Sequence, residues 1–153
     1  MKLFHAIVVI IFLVVIFSSC SKVKLTTNPQ DKLSFTTDTL TFDTVFTSLG
    51  SDTRYFKILN THSKSIKIST LRLGGGSSSF FRLNVDGVPT KTELHDLEIA
   101  PHDSMWVFAA VTIDPNNQNN PFVVEDSVIF ETNGNEQKVL LMAYGQNAHF
   151  YND

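Results

Sequence analysis

Cys20 is the only thiol in this chain, and Ser18 and Ser19 just before it are the small side chains that a signal peptidase needs ahead of its cut. Other residues offer different chemistry. Trp106, Tyr55 and Tyr144 could form an aromatic platform for sugar rings; the competing reading has Trp106 and Tyr144 filling the core or its edge, as aromatics in β proteins mostly do. His95-Asp96 and His102-Asp103 pair imidazoles with carboxylates. Two histidines fall short of the three or four converging ligands of a zinc site, so both pairs read as solvated turn residues. Asp114, Asn116 and Asn117 open an oxygen-rich loop ending at Pro121. It lacks the alternating carboxylates of a calcium loop, but a loop at a sandwich end is also where binding specificity resides. Gly74 to Ser79 reads GGGSSS, without the Gly-Lys-Ser/Thr ending of a phosphate loop. Gly-x-Ser-x-Gly is missing too, which excludes an esterase of that pattern. No catalytic set, metal site or cofactor emerges.

The leader has the parts of a secretory signal. Lys2 precedes an apolar run of twelve residues from Ala6 to Phe17, and then comes Ser-Ser-Cys. A spanning helix needs about 20 apolar residues, so this run suits a cleaved signal better than an anchor. Ser18-Ser19-Cys20 resembles the lipobox of bacterial lipoproteins, with Phe17 where leucine is usual. The resemblance implies cleavage before Cys20 and attachment of two or three acyl chains, enough for stable anchoring where a single chain is reversible. The thiol is then consumed, and the folded part has no disulfide, redox or cysteine–metal chemistry. Ser21-Lys22-Val23-Lys24 follows, with no acid until Asp31. Against lipoprotein sorting signals this favours the outer membrane, facing the periplasm rather than the cell surface.

Four segments are expected: a signal peptide at 1–19, a lipidated cysteine and polar tether at 20–32, a β-sandwich at 33–148 and a tail at 149–153. The tether would span about 20 Å as a coil. The chain has 12 basic and 15 acidic side chains, and losing Lys2 with the leader makes the balance more acidic. Phosphate backbones need clustered Lys and Arg, so nucleic acid is excluded as a partner. The membrane, through Cys20, and a protein or glycan of the envelope remain.

Positioning falls to strands. Leu40 and Phe42, Phe56 and Ile58, Ile66 and Ile68, and Phe81, Leu83 and Val85 alternate with polar neighbours, the period-two mark of half-buried sheets. The pattern slips one residue between Ile68 and Leu71, predicting a bulge or a crossing between sheets. Met105 to Ile113 is apolar on both faces and predicts a central strand. Asn133-Gly134-Asn135 predicts a hairpin between two long strands; further turns fall at Asn60 to Lys64, Asp86-Gly87 and Pro101 to Asp103. Seven to nine antiparallel strands in a two-sheet sandwich result.

The order Val45-Phe46, Gly50, Phe56-x-Ile58-Leu59-Asn60 and Ile66-x-Ile68 resembles the first half of hydin-type (ASH) immunoglobulin-like domains. Val111-x-Ile113-Asp114-Pro115, Asp126 to Asn133, and Leu141 with Gly145 resemble the second half. Asn60 would open a turn through hydrogen bonds to its neighbours' backbone, and Pro115 would end a strand. The similarity extends to Gram-negative lipoproteins that set such a sandwich before a right-handed parallel β-helix, entered by a segment like Gly145 to Asp153. On that resemblance the chain is either a stand-alone version or the front part of a β-helix protein acting on polysaccharide. It implies extracytoplasmic binding or scaffolding and brings no catalytic residues. The expected protein is a lipid-anchored, non-catalytic interaction domain, with a carbohydrate-binding module as the alternative.

Overall fold

A computed structural model describes residues 24–46, 53–112 and 122–146. Ten strands are present there: β1 (Ser34–Phe35), β2 (Thr39–Phe46), β3 (Arg54–Leu59), β4 (Ile66–Leu73), β5 (Phe81–Val85), β6 (Val88–Thr90), β7 (Glu93–Ile99), β8 (Ser104–Val111), β9 (Phe122–Thr132) and β10 (Asn135–Gln146). They form two five-stranded sheets. Sheet I runs β1-β3-β8-β5-β6 and sheet II runs β2-β10-β9-β4-β7. The chain is an all-β, immunoglobulin-like sandwich. β1, β3, β8 and β5 take the places of one sheet of that fold, β4, β9 and β10 those of the other.

Two expectations need correction. Ten strands replace seven to nine, because β1 and β6 have only two and three residues, too few to show alternation. The sheets are also not wholly antiparallel, since β2 runs parallel to β10 from Thr39–Leu140 to Phe46–Gln146. β1 and β2 are one extended run broken at Thr37, whose hydroxyl donates to the Thr39 carbonyl at 2.7 Å. The break carries the chain from sheet I to sheet II.

Alternation places the core as expected. Phe56, Ile58, Ile66, Ile68, Leu71, Leu73, Phe81, Leu83 and Val85 are all buried. Between Ile68 and Thr70 the β4–β9 register slips by one residue; the phase change is a bulge, held by Ser69 Oγ donating to the Glu131 carbonyl at 2.9 Å. β8 is central, with Met105, Val107, Ala109 and Val111 turned inward. Across the sheets, Phe35 and Phe56 of sheet I meet Phe130 of sheet II at ring-centroid distances of 4.9 and 6.3 Å. Phe42 and Phe81 make a second bridge at 5.6 Å.

The β9–β10 turn is only Asn133-Gly134, since Thr132 already faces Asn135. Both turn residues have positive φ, 49° and 76°, the type I′ geometry that matches strand twist. A Cβ on Gly134 would meet nothing within 4 Å, so Gly134→Ala tests backbone strain alone. It should cost about 1–2 kcal/mol, read by urea denaturation. A loss below a few tenths would refute the turn assignment.

Residues 24–32, expected to belong to a free tether, are instead fastened to one end of the sandwich. Leu25 forms a parallel bridge with Ser65, and Thr26 N–H donates to the Ser65 carbonyl at 2.9 Å. Thr26 is buried. Three amide side chains from the C-terminal hairpin complete the attachment. Asn133 Nδ2 donates to the Asp31 carbonyl at 3.0 Å and Asn135 Nδ2 to that of Pro29 at 2.8 Å. Gln137 accepts from Leu33 N–H at 3.0 Å and donates to the Leu33 carbonyl at 2.9 Å. A polar stretch without periodicity is thus ordered by groups about a hundred positions away.

Asn60 organises the same end. Buried to 1% exposure, its Nδ2 reaches the carbonyls of Lys64, Ile99 and Ala100 at 2.8, 3.0 and 2.9 Å. Its Oδ1 accepts from His62 N–H at 3.0 Å, and its own N–H donates to the Asp103 carbonyl at 2.9 Å. One side chain therefore ties the β3–β4 turn to the β7–β8 turn.

Candidate functional site

Outward positions on the solvent side of a two-sheet sandwich are ordinarily polar, yet on sheet I they carry rings. β3 and β8 pair so that Tyr55 faces Phe108 and Lys57 faces Trp106. Their inward neighbours Phe56 and Val107 are buried, which turns Tyr55, Lys57, Trp106 and Phe108 outward. Tyr55 and Trp106 meet edge to face at 5.0 Å, while Trp106 and Phe108 lie nearly parallel, 13° apart, at 6.0 Å. Lys57 Nζ sits 4.0 Å from the Trp106 ring centroid, a cation–π contact that braces the indole. Tyr55 is 57% exposed, and Trp106 and Phe108 are half-buried.

The β5–β6 hairpin walls this patch. Asp86 and Gly87 have φ of 48° and 89°, a second type I′ turn, and Asp86 N–H donates to the Trp106 carbonyl at 2.9 Å. Tyr55, Trp106, Phe108, Asp86 and Gly87 enclose an open depression of about 340 Å³. Tyr55 also borders a broader, more polar hollow with Leu40, Thr41, Thr53 and Arg54. Ring faces can stack on the C–H face of a sugar or on apolar side chains, and the Asp86 carboxylate can accept hydrogen bonds. Among the lining residues Asp86 is the only acid, whereas glycoside hydrolysis needs two facing carboxyl groups.

Of the three aromatics singled out in the sequence, Tyr55 and Trp106 come together. Tyr144 does not join them. It lies 45% exposed on β10 of sheet II, its hydroxyl 3.4 Å from Met142 Sδ, on the opposite side of the sandwich. Trp106 lies half-buried on the outer face of sheet I. Phe108 and Asp86 were not foreseen; Phe108 stands two residues beyond Trp106 and so on the same face of β8. Cys20 and the loop residues Asp114, Asn116 and Asn117 lie outside the described residues.

The other candidates resolve into local structure. Gly74 to Ser79 closes on a carboxylate: Asp126 accepts from Gly75 N–H at 2.9 Å and from the Ser79 hydroxyl. A phosphate there would meet negative charge. His95 and Asp96 lie within β7 rather than before it. His95 Nε2 stands 3.2 Å from Glu93 Oε1, and His102 occupies a turn at φ 57°. Among the described residues no three metal-binding side chains converge.

Lys67 Nζ and Asp96 Oδ1 pair at 2.8 Å. The lysine's hydrogen bond and charge hold the Asp96 carboxyl below its ordinary pKa and raise that of Lys67. Stability from the carboxylate is present above its unfolded pKa and lost as pH falls through the folded one. The lysine's share is present at low pH and lost as pH rises through its raised value. Both side chains are exposed to solvent, so the effect is small and screened by salt. Asp96→Asn should flatten the acid limb of the melting-temperature profile at low ionic strength and leave it unchanged in 1 M salt. A flattening that persists in 1 M salt would refute a surface ion pair.

Fold and face together define an immunoglobulin-like β-sandwich with an aromatic depression on one sheet. No family model matches the chain, and no curated protein does. Solved structures do. The ASH/PapD-like domain 7 of human CEP192 aligns over 88% of this chain and 98% of its own, at 14% identity and a TM-score of 0.46. A family 123 glycoside hydrolase from Clostridium perfringens aligns over 74% of this chain at 10% identity and a TM-score of 0.50, with 23% of its own length covered. The CooA pilin subunit of enterotoxigenic Escherichia coli aligns over 76% of this chain and 99% of its own, at 7% identity and a TM-score of 0.48. At such identities the likeness concerns the fold alone.

Proposed function

We propose that this chain is a lipid-anchored protein of the cell envelope whose non-catalytic sandwich is an interaction domain, with the outer face of sheet I as its binding surface. The observation that carries the reading is the cluster of Tyr55, Trp106 and Phe108 on a face that should be polar. Exposed apolar patches bounded by polar groups mark interaction sites, and aromatic residues are enriched at the cores of interfaces. Ser18-Ser19-Cys20 supports the anchor. The solitary acid in the depression supports binding over catalysis.

Site-specific photo-crosslinking in cells tests the assignment. Benzoylphenylalanine at position 108 should give discrete adducts, and the same group at position 144 on the opposite face should give none. Adducts from 144 alone, or from neither position, would overturn it.

A carbohydrate ligand is the second reading, favoured by the ring pair beside the Asp86 carboxylate. Trp106 is the chain's only tryptophan, so its fluorescence reports on the depression directly. Titration with envelope polysaccharide fragments should shift that emission, and Tyr55→Ala should weaken the apparent affinity at least tenfold. An unchanged spectrum at millimolar sugar rules out the glycan and leaves a protein ligand.

A further inference from the structure

The fastening of residues 24–32 has a geometric consequence if the Cys20 lipid of the proposed function is in place. We infer that the sandwich stands directly on the bilayer, with the end formed by the β3–β4, β7–β8 and β9–β10 turns against the lipid headgroups. The inference rests on lipidation of Cys20 and goes beyond it to say which surface meets the membrane.

Chain length supplies the first argument. Four Cα–Cα steps separate Cys20 from Lys24, at most about 14 Å when extended. From Lys24 onward the backbone is held, since the Lys24 carbonyl accepts from Ser65 N–H at 3.2 Å. Even fully extended, this length is shorter than the coil span of about 20 Å expected of a free tether running to residue 32.

Direction supplies the second. The Leu25–Ser65 bridge is parallel, and Ser65 leads into β4, which runs away from this end of the sandwich toward Leu73. The described chain therefore enters at Lys24 from this end of the sandwich. Leu25 is 45% exposed there.

Charge supplies the third. Lys24, Lys32 and Lys64 are exposed at this end, and none of them forms an ion pair with a described residue. Two carboxylates share this end and keep their charge, Asp31 accepting from the Thr26 hydroxyl and Asp103 from the Ser104 N–H at 2.7 Å, so the three lysines outnumber them. In a protein of net charge −3, three free ammonium groups on the end nearest the lipid complement anionic headgroups. The depression on sheet I then opens sideways, close above the membrane, because Trp106 is only two residues from the Ser104 end of β8.

The full chain, matured in bacteria and reconstituted in vesicles of phosphatidylethanolamine and phosphatidylglycerol, tests this. Cys20 is blocked by its lipid, so Ser63→Cys in the β3–β4 turn and Ser78→Cys at the opposite end each offer one free thiol for a fluorophore. Nitroxide-headgroup lipid should quench the Ser63→Cys label at least threefold more than the Ser78→Cys label. Ten Gly/Ser residues inserted between Val23 and Lys24 should abolish the difference. Replacing Lys24, Lys32 and Lys64 by Gln should reduce quenching at Ser63→Cys in anionic vesicles but not in neutral ones. Equal or reversed quenching with an intact lipid on Cys20, shown by mass spectrometry, overturns the orientation alone. An unmodified Cys20 overturns the anchor and the orientation together.

Discussion

Replacing Asn60 by alanine is expected to lower the unfolding free energy by about 3 kcal/mol, because each buried polar group left without its partner costs about 1–3 kcal/mol. Three carbonyls lose their donor and one N–H loses its acceptor, and water can reach only some of them. In a domain of this size the melting temperature should fall by about 10 °C. Asn60→Asp should be worse at neutral pH, since it points a carboxylate at three carbonyl oxygens. That variant should gain stability as pH falls, because burial and the facing carbonyls raise its pKa and the protonated acid restores one donor. Urea denaturation at pH 7 and pH 5 measures both effects. A loss below 1 kcal/mol for Asn60→Ala would show that the two turns hold without this residue.

Phe130→Ala should cost about 4 kcal/mol, within the usual 3–5 kcal/mol for removing a buried ring. Phe130 is fully buried and touches Phe35 and Phe56 across the sheets. Its loss opens a cavity in the contact between the sheets and leaves the Phe35 ring of β1 with Phe56 as its remaining ring partner. Phe130→Leu should cost markedly less because it fills most of that space. If Ala and Leu variants melt alike, the ring cluster does not hold the sheets together.

Period-two alternation made the core legible because burial on one face imposes it directly: Phe81, Leu83 and Val85 are buried as their spacing required. The two I′ turns were legible through Asn133-Gly134 and Asp86-Gly87, residue types that tolerate the positive φ these turns demand. The fastening of residues 24–32 was not. Its partners are the side-chain amides of Asn133, Asn135 and Gln137, and an amide on a strand looks like any solvated polar residue. The site was half legible. Trp106 and Tyr55 stood out by type, but apolar residues on both faces of β8 are equally the mark of a strand covered on both sides. Only the pairing of Lys57 with Trp106 and Tyr55 with Phe108, together with the exposure of Tyr55, shows that these rings share an open outer face. Tyr144 was misjoined to them because strand membership in one sheet or the other leaves no local trace.

The parallel seam between β2 and β10, with Gln137 clasping Leu33 across 104 positions, bears on when the molecule can fold. Contacts between distant parts of a chain form slowly because a long loop must be closed first. Here the first long strand has no neighbour in its sheet except the last strand. Sheet II therefore cannot be completed until β10 is available to pair with β2. Until then β2 has no partner strand in sheet II among the described residues.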